Sequence, residues 1–370
     1  MTLGLSMIVK NESEVLARIL DGIVGVVDEI VIVDTGSIDD TMEIARRYTD
    51  KVYSFDWVND FSAARNFALS KMTTDYWIWL DADDIIPQDT ATAIKRFMRK
   101  NPSADIVMMP YVAAVDENGK PTFSYYRERI LRNVPRNRWQ GAVHEAVELK
   151  GTVITLNKPI IHAKPTDRTN GTRNLDIYEG LIASGRELTP RERYYYGREL
   201  FYNGRTQDAA RELSRFVEGD GGFAANKADA CLLLCDCFRA LDDKQSAMQA
   251  ALYRFAFTPP DGEGCCKLGS LFFERGDYKS AAKWYDVALH CKPDMKSGAF
   301  VQTDYYGFIP LMWLTVCYDR LDEIKKAYGY HRRAKKLRPT DKSVIANDMY
   351  FSAKGFNDLS HTTDTTNYRR

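Results

Sequence analysis

The stretch Tyr76-Trp77-Ile78-Trp79-Leu80-Asp81-Ala82-Asp83-Asp84 decides how the first half of the chain is read. Five large apolar residues make a buried strand, and carboxylates crowd its carboxyl end. Residues i and i+2 of an extended chain share a face, so Asp81 and Asp83 point the same way. Crowded carboxylates repel one another unless a cation lies between them. Hard oxygen ligands of this kind suit Mg2+ or Mn2+. The competing reading is a solvated acidic turn in which Asp84 caps the next helix.

Upstream, the same pattern of strand, polar end and helix recurs. Leu3 to Val9 is a short apolar strand, followed by a helix capped by Asn11 or Ser13 and running toward Gly22. Glu29 to Val33 is a second strand, ending at Asp34, after which Ser37 caps a helix from Asp39 to Tyr48. Lys51 to Phe55 reads as a third strand and Phe61 to Lys71 as a third helix. Alternating strands and helices imply a parallel sheet covered by helices. Ligands of such sheets bind at the carboxyl ends of the strands. Here those ends carry Lys10-Asn11-Glu12, Asp34-Thr35-Gly36-Ser37 and Asp81-Ala82-Asp83-Asp84. From Ile106 to Ala163 the pattern is strand-rich, with a hairpin turn expected at Asn118-Gly119.

After Pro190 the chain turns helical, with a helix-turn-helix repeat of about 34 residues. A repeat begun at Gly262 places Leu268, Gly269, Phe272, Ala281, Tyr285, Ala288 and Pro293 at the expected positions. Repeats begun at Pro190, Ala228 and Phe308 match in part. These segments resemble tetratricopeptide repeats. The expected organisation is a domain over 1–165, a connector over 166–189, helical repeats over 190–342, and a C-terminal helix and disordered tail over 343–370.

Composition excludes several classes. The 370 residues carry 51 Lys plus Arg and 51 Asp plus Glu, so there is no basic excess to neutralise a duplex, and nucleic acid is not expected as a partner. No apolar run reaches the ~18 residues that span a bilayer. The N-terminal Met-Thr-Leu-Gly-Leu-Ser reads as a first strand rather than a secretory leader. All seven cysteines lie between Cys231 and Cys317, and they read as reduced thiols at helix contacts in a cytoplasmic protein.

Four segments together carry a resemblance: Leu5-Ser6-Met7-Ile8-Val9-Lys10-Asn11-Glu12; Val33-Asp34-Thr35-Gly36-Ser37-Ile38-Asp39-Asp40-Thr41; Ala64-Arg65-Asn66; and Trp79-Leu80-Asp81-Ala82-Asp83-Asp84. Their order and spacing resemble family-2 glycosyltransferases of the GT-A fold, an α/β, Rossmann-like, mostly parallel sheet. The resemblance implies an enzyme that moves a hexosyl or N-acetylhexosaminyl group from a nucleotide-diphosphate sugar, with UDP favoured, and inverts the anomeric carbon. It implies that Asp34 bonds the base, and that the segment of Ser6, Val9, Asn11 and Glu12 lines the nucleotide. Asp81, with Ala82, would contact the nucleoside, Asp83 would hold Mn2+ or Mg2+, and Arg65 would lie near the nucleotide. Arg65 reads equally as a structural ion-pair partner of Asp81. Where many members carry two aspartates this chain has Asp34-Thr35, and the Gln of the processive synthases is replaced by Pro135 ahead of Arg138-Trp139.

The segment Trp139-Gln140-Gly141-Ala142-Val143-His144-Glu145 is similar to one in soluble members of the family that carry helical repeats. Inverting transfer needs a base on the acceptor side; Glu145 is the first candidate and His144 the second. His144 reads alternatively as a metal ligand, or the pair as a packed strand end. His162 follows another apolar strand and reads as a metal ligand or as a core histidine. Arg127, Arg129 and Arg132 suit diphosphate recognition, against a solvated strand face as the default. The repeats suit a peptide or protein acceptor, or a homodimer contact. The alternatives are transfer to a glycan or lipid, an interaction scaffold with a vestigial sugar-nucleotide domain, and a nucleotidyltransferase, whose Gly-rich basic loop is not found at Lys10-Asn11-Glu12.

Overall fold

The computed structural model describes residues 1–100, 102–117, 119–163, 171–295 and 298–356. Asn118 of the expected hairpin turn and the tail beyond 356 lie outside the described residues. Among the described residues no helix is long and apolar enough to cross a membrane. The chain divides into two compact units, Met1–Thr258 with Asp294–Gln302, and Pro259–Pro293 with Thr303–Arg370.

The first unit is built on a mixed sheet. Strands β1 (Leu3–Val9), β2 (Glu29–Asp34), β3 (Val52–Ser54) and β4 (Tyr76–Trp79) are parallel, in the order β3-β2-β1-β4. Helices α1 (Leu16–Ile23), α2 (Thr41–Arg46) and α3 (Phe61–Ser70) connect them. Strands β1, β2 and β4 are apolar because they are covered on both faces: Leu3, Leu5, Met7 and Val9 pack with α1, and Val31, Val33 and Trp77 pack beside Ala68 and Leu69 of α3. Beyond β4 the sheet takes on antiparallel strands as well. After β5 (Asp84–Ile85) and α4 (Gln88–Arg99), strands β6 (Ile106–Val115) and β7 (Pro121–Arg132) form a long antiparallel hairpin, and β7 joins β4 antiparallel. Strands β8 (Trp139–Gln140) and β9 (Ala146–Val147) make a small separate pair, while β10 (Val153–Thr155) and β11 (Ile160–His162) add parallel to β6.

Two caps expected from the sequence, and the cap of the competing reading of Asp84, are replaced by other contacts. Helix α1 begins at Leu16 with no side-chain cap, so neither Asn11 nor Ser13 caps it. Helix α2 begins at Thr41, and the Ser37 hydroxyl accepts from the Asn11 N–H (2.9 Å) instead of capping. Helix α4 begins at Gln88, and Asp84 accepts from the Asp81 N–H (3.0 Å) rather than capping it. Asn11 and Ser37 each meet the neighbouring loop, while Asp84 bonds back within its own turn.

Within the stretch expected as a connector lies α5 (Arg173–Ala183). Helix α6 (Pro190–Tyr202) follows, opened by a capping box of Thr189 and Glu192. With α7 (Thr206–Glu218), α8 (Ala224–Ala240) and α9 (Lys244–Tyr253) it makes two helical pairs in the first unit. The second unit holds the pairs α10 (Gly262–Glu274) with α11 (Tyr278–His290) and α12 (Phe308–Arg320) with α13 (Ile324–Leu337), followed by α14 (Lys342–Ala353). The repeat pattern has a direct packing cause. Ala209, Ala247, Ala281 and Ala327, one from each repeat, are fully buried. A Cβ on Gly197 would meet Leu213 at 2.7 Å, and one on Gly269 would meet the Tyr285 ring at 2.8 Å. These positions stay small so that paired helices can approach.

Strand β12 (Val301–Gln302) belongs to the first unit and pairs antiparallel with β7 at Phe123 and Ser124. Phe300 beside it packs on Phe123 and on the edge of Tyr125, with the Arg198 guanidinium over its ring.

Candidate active site

The polar ends of β1, β2 and β4 build one site. Gly36, at φ 102, turns the chain so that the Gly36 and Ser37 N–H groups both donate to Asp34 Oδ2 (3.0 Å each). Asn11, also left-handed at φ 53, receives Ile38 N–H on its Oδ1 (2.9 Å), and Glu12 N–H donates to the Thr41 hydroxyl (2.7 Å). Ser6 and Val9 are buried along β1, and the Val9 carbonyl accepts the Thr35 N–H (3.0 Å). Asp34 Oδ1 is buried and accepts no hydrogen bond. A buried acceptor without a donor is costly, and it matches a ring N–H of a nucleobase. Asp39 braces the same corner. Burial opposes its ionisation, but hydrogen bonds from Thr41 and Ser13 prevail and hold its carboxyl down at about 2.

Arg65 links the strand-end carboxylates. Its Nη2 donates to Asp81 Oδ1 (2.8 Å) and its Nε to Glu145 Oε1 (2.6 Å). The guanidinium lies 5.1 Å from the ring centres of both Trp79 and Trp139. Both readings of Arg65 thus meet at one place: it is an ion-pair partner of Asp81 and it stands in the candidate site. Burial would raise the Asp81 carboxyl, but Arg65 first, then Arg129 and Arg127, outweigh it and lower it. Ala82 beside it is buried.

Asp83, midway along the domain sequence, and His162, near its end, come together. Asp83 Oδ1 is 3.7 Å from His162 Nδ1, and the Ala163 N–H donates to the Asp83 carbonyl (3.0 Å), which fixes β11 beside the Asp83 turn. Asp84 completes a group whose candidate donor atoms lie within 4.8 Å of one another. Asp84 is a poor donor to an ion, however. It is fully buried and its oxygens are engaged by Arg129 Nη1 (3.3 Å), the Tyr111 hydroxyl (2.8 Å) and the Asp81 N–H. Burial pushes its carboxyl up to about 6 against the pull of Arg129. The Tyr111 hydroxyl, which donates to Asp84, also lies 2.8 Å from His162 Nδ1 and so holds the ring in place beside Asp83. An aspartate oxygen and an imidazole nitrogen beside a buried aspartate make a group able to hold a divalent cation.

The three arginines of β7 differ from a solvated face. A bulge between Val107/Met108 and their partners leaves Arg129 unpaired in the ladder and turns it inward. It is fully buried between the rings of Trp79 (3.8 Å) and Tyr111 (4.4 Å), and its Nε and Nη2 have no hydrogen-bond partner. Arg127 lies over the other part of Trp79 (4.7 Å) and pairs with Glu128. Only Arg132 behaves as an edge residue, bonding the Tyr76 hydroxyl and the Ser103 carbonyl.

His144 turns away from the Asp83 group, which does not include it. Its ring stacks on Tyr195 of α6 (4.2 Å, 17°) and its Nε2 lies 2.7 Å from Glu199 Oε1. Sequence reasoning missed Tyr195 and Glu199. The signal was present: Arg191, Tyr195 and Glu199 are spaced by four and share one face of α6. Burial pushes the thiols of Cys231, Cys237 and Cys317 up to about 12, as packing residues require.

Residues 5–147 match the family model described as glycosyl transferase family 2. A TPR repeat-containing protein of Synechococcus elongatus is 28% identical over 290 residues, covering 77% of this chain and 56% of that protein. The SPbeta prophage-derived glycosyltransferase SunS of Bacillus subtilis is 26% identical over 250 residues, covering 63% of this chain and 58% of that protein. The chain thus spans a little over half the length of these curated relatives. Among solved structures, MamA aligns with a TM-score of 0.35 at 20% identity over 44% of this chain and 79% of its own. YrrB, a TPR protein, aligns with a TM-score of 0.36 at 13% identity over 47% of this chain and 81% of its own. Residues 5–147, with their strand-end carboxylates and Arg65 bridge, are a glycosyl transferase family 2 domain, and helical pairs of the tetratricopeptide kind follow it.

Proposed function

We propose that this chain is a metal-dependent, inverting glycosyltransferase that moves a hexosyl or N-acetylhexosaminyl group from a UDP-sugar to a peptide or protein side chain. The observation that carries this reading is the gathering, at the carboxyl ends of β1, β2 and β4, of the open Asp34 acceptor, the Asp81–Arg65–Glu145 bridge and the Asp83–His162 pair.

Asp34 Oδ1 takes the N–H of the base, while Ser6, Val9, Asn11 and Glu12 line the nucleoside and Asp81 and Ala82 close its other side. Asp83 and His162 would hold Mn2+ or Mg2+, which when bound supplies countercharge for the departing diphosphate. The acceptor atom attacks the anomeric carbon from the face opposite the diphosphate. A bond to the acceptor forms, the bond to the diphosphate oxygen breaks with its electron pair, and configuration inverts. Glu145 takes the acceptor's proton. With Oε1 tied to Arg65, Oε2 is the oxygen that receives it. Repeats of this kind bind extended peptides, which favours a protein acceptor. Residues 1–165 are the catalytic part in this reading. Cysteines buried at helix contacts favour a cytoplasmic setting.

A panel of UDP- and GDP-sugars with Mn2+, scored for hydrolysis, tests the donor without an acceptor. Asp83→Ala should lower turnover at least about a hundredfold with an unchanged melting temperature. Turnover that survives the substitution overturns the metal assignment. Calorimetry with UDP and Mn2+ that detects no binding, together with no hydrolysis of any donor, sinks the enzyme reading in favour of the scaffold.

A further inference from the structure

The turn that carries Glu145 is held in an unusual way. Between β8 and β9 four successive carbonyls each accept from a different element. Ala142 accepts from the Phe61 N–H at the start of α3 (2.8 Å), and Val143 from the Tyr178 hydroxyl of α5 (3.2 Å). His144 accepts from both Nε and Nη2 of Arg191 of α6 (3.3 and 3.1 Å), and Glu145 from Arg127 of β7 (3.5 Å). Two of the four donors therefore come from helices that follow the glycosyltransferase domain in sequence.

His144 is the centre of this clamp. It is a non-glycine residue at φ 52, a conformation that persists only where its surroundings impose it. What imposes it is α6: Tyr195 stacks on the ring, Glu199 meets Nε2, and Asn174 of α5 in turn donates to Glu199 (3.1 Å). On the far side, Arg65 fixes the Glu145 carboxylate.

We infer that Arg191, Tyr195 and Glu199 of α6 act through His144 as positioning residues for Glu145, so that the first helical repeat is part of the transfer machinery. The inference rests on the reading of Glu145 as proton acceptor. His144 then moves no proton and binds no ion. It converts the placement of α6 into the backbone conformation that aims the next residue. Misplacing a reacting group by ~1 Å is enough to cost ~100-fold in rate. Donor binding, served by β1, β2 and β4, meets this clamp through the Arg65 link between Glu145 and Asp81.

The test uses the full chain, Mn2+ and whichever UDP-sugar the panel finds turned over fastest. Tyr195→Ala should lower kcat about tenfold or more with the donor KM within about twofold, because only the aim of Glu145 is lost. Tyr195→Phe keeps the stack and should restore kcat. Should Tyr195→Ala fail to fold, Glu199→Gln, which keeps the shape and weakens the bond to His144, takes its place with the same split expected. A kcat for Tyr195→Ala or Glu199→Gln equal to the parent, while Glu145→Gln is inactive, overturns the inference and leaves the proposed function standing. Full activity in Glu145→Gln overturns the function of Glu145 and the inference with it. An arm independent of turnover is amide exchange in peptides covering 141–147. Faster exchange in Tyr195→Ala, reversed in Tyr195→Phe, supports the clamp, and unchanged exchange overturns it.

Discussion

Replacing Arg65 by Met removes the positive centre of the site while filling much of the same space. The magnitude follows from what each partner loses. The Glu145 side chain is 12% exposed and its Oε1 is held by Arg65. Removing one partner of a buried pair costs ~3–5 kcal/mol, because the remaining charge is stranded. Asp81 is 38% exposed, so water screens its loss, which adds ~0–1 kcal/mol. The slot between Trp79 and Trp139 stays filled, since Met adapts to irregular gaps. The sum is about 3–6 kcal/mol, or roughly 6–24 °C in Tm at the ~2–4 °C per kcal/mol of a unit this size. Thermal unfolding followed by circular dichroism reads it. The sign of the cause is tested by adding Glu145→Gln: a neutral amide needs no countercharge, so the double variant should recover more than half of the loss. A single variant that melts within about 2 °C of the parent, or a double variant that recovers nothing, refutes the stranded-charge argument.

Three further outcomes follow from the geometry. Asp39→Asn should cost about 1 kcal/mol at neutral pH after allowance for its solvent exposure. Because the folded-state carboxyl is depressed to about 2, this contribution is complete above the ordinary aspartate value. It fades as the pH falls toward 2, so urea titrations of parent and variant should converge there. Gly269→Val drives a side chain into the Tyr285 ring and should destabilise the second unit by ~1–3 kcal/mol, read as an earlier thermal transition. A thiol reagent at pH 8 should label Cys291, which is partly exposed, well ahead of the buried Cys231, Cys237 and Cys317, with mass spectrometry assigning the site. Equal labelling of all four would contradict their burial.

The strands and repeats were legible because their causes are local. Alternation of apolar runs with polar ends located β1, β2 and β4 to within a residue, and the small residues at Gly269 and Ala281 announced helices that touch. What stayed hidden were bonds between loops. Asn11 and Ser37 both read as caps in isolation, and only the meeting of two strand ends turns them toward each other. Arg129 read as a surface residue because a ladder bulge, invisible in one strand's sequence, reverses its direction. The Asp83–His162 pair was proposed from the resemblance and from an apolar strand before His162. The Arg65 bridge joins helix α3 to the turn that carries Glu145, far along the chain, and no spacing rule connects them.

The late strand β12 sets a timetable for the newborn protein. Strand β4 covers β7 only at Ile130–Arg132, and the outer part at Phe123 and Ser124 waits for Val301 and Gln302. At ~5–20 residues per second the ribosome needs on the order of ten seconds or more to travel from Arg132 to Val301. During that interval an aromatic strand edge, Phe123 with Tyr125, stands bare as a template for another chain. The ring of Phe300 and its two-residue strand close it only after α6 to α11 have been synthesised. A chain released before residue 302 would therefore carry nearly every residue assigned to chemistry and still present an open, sticky edge.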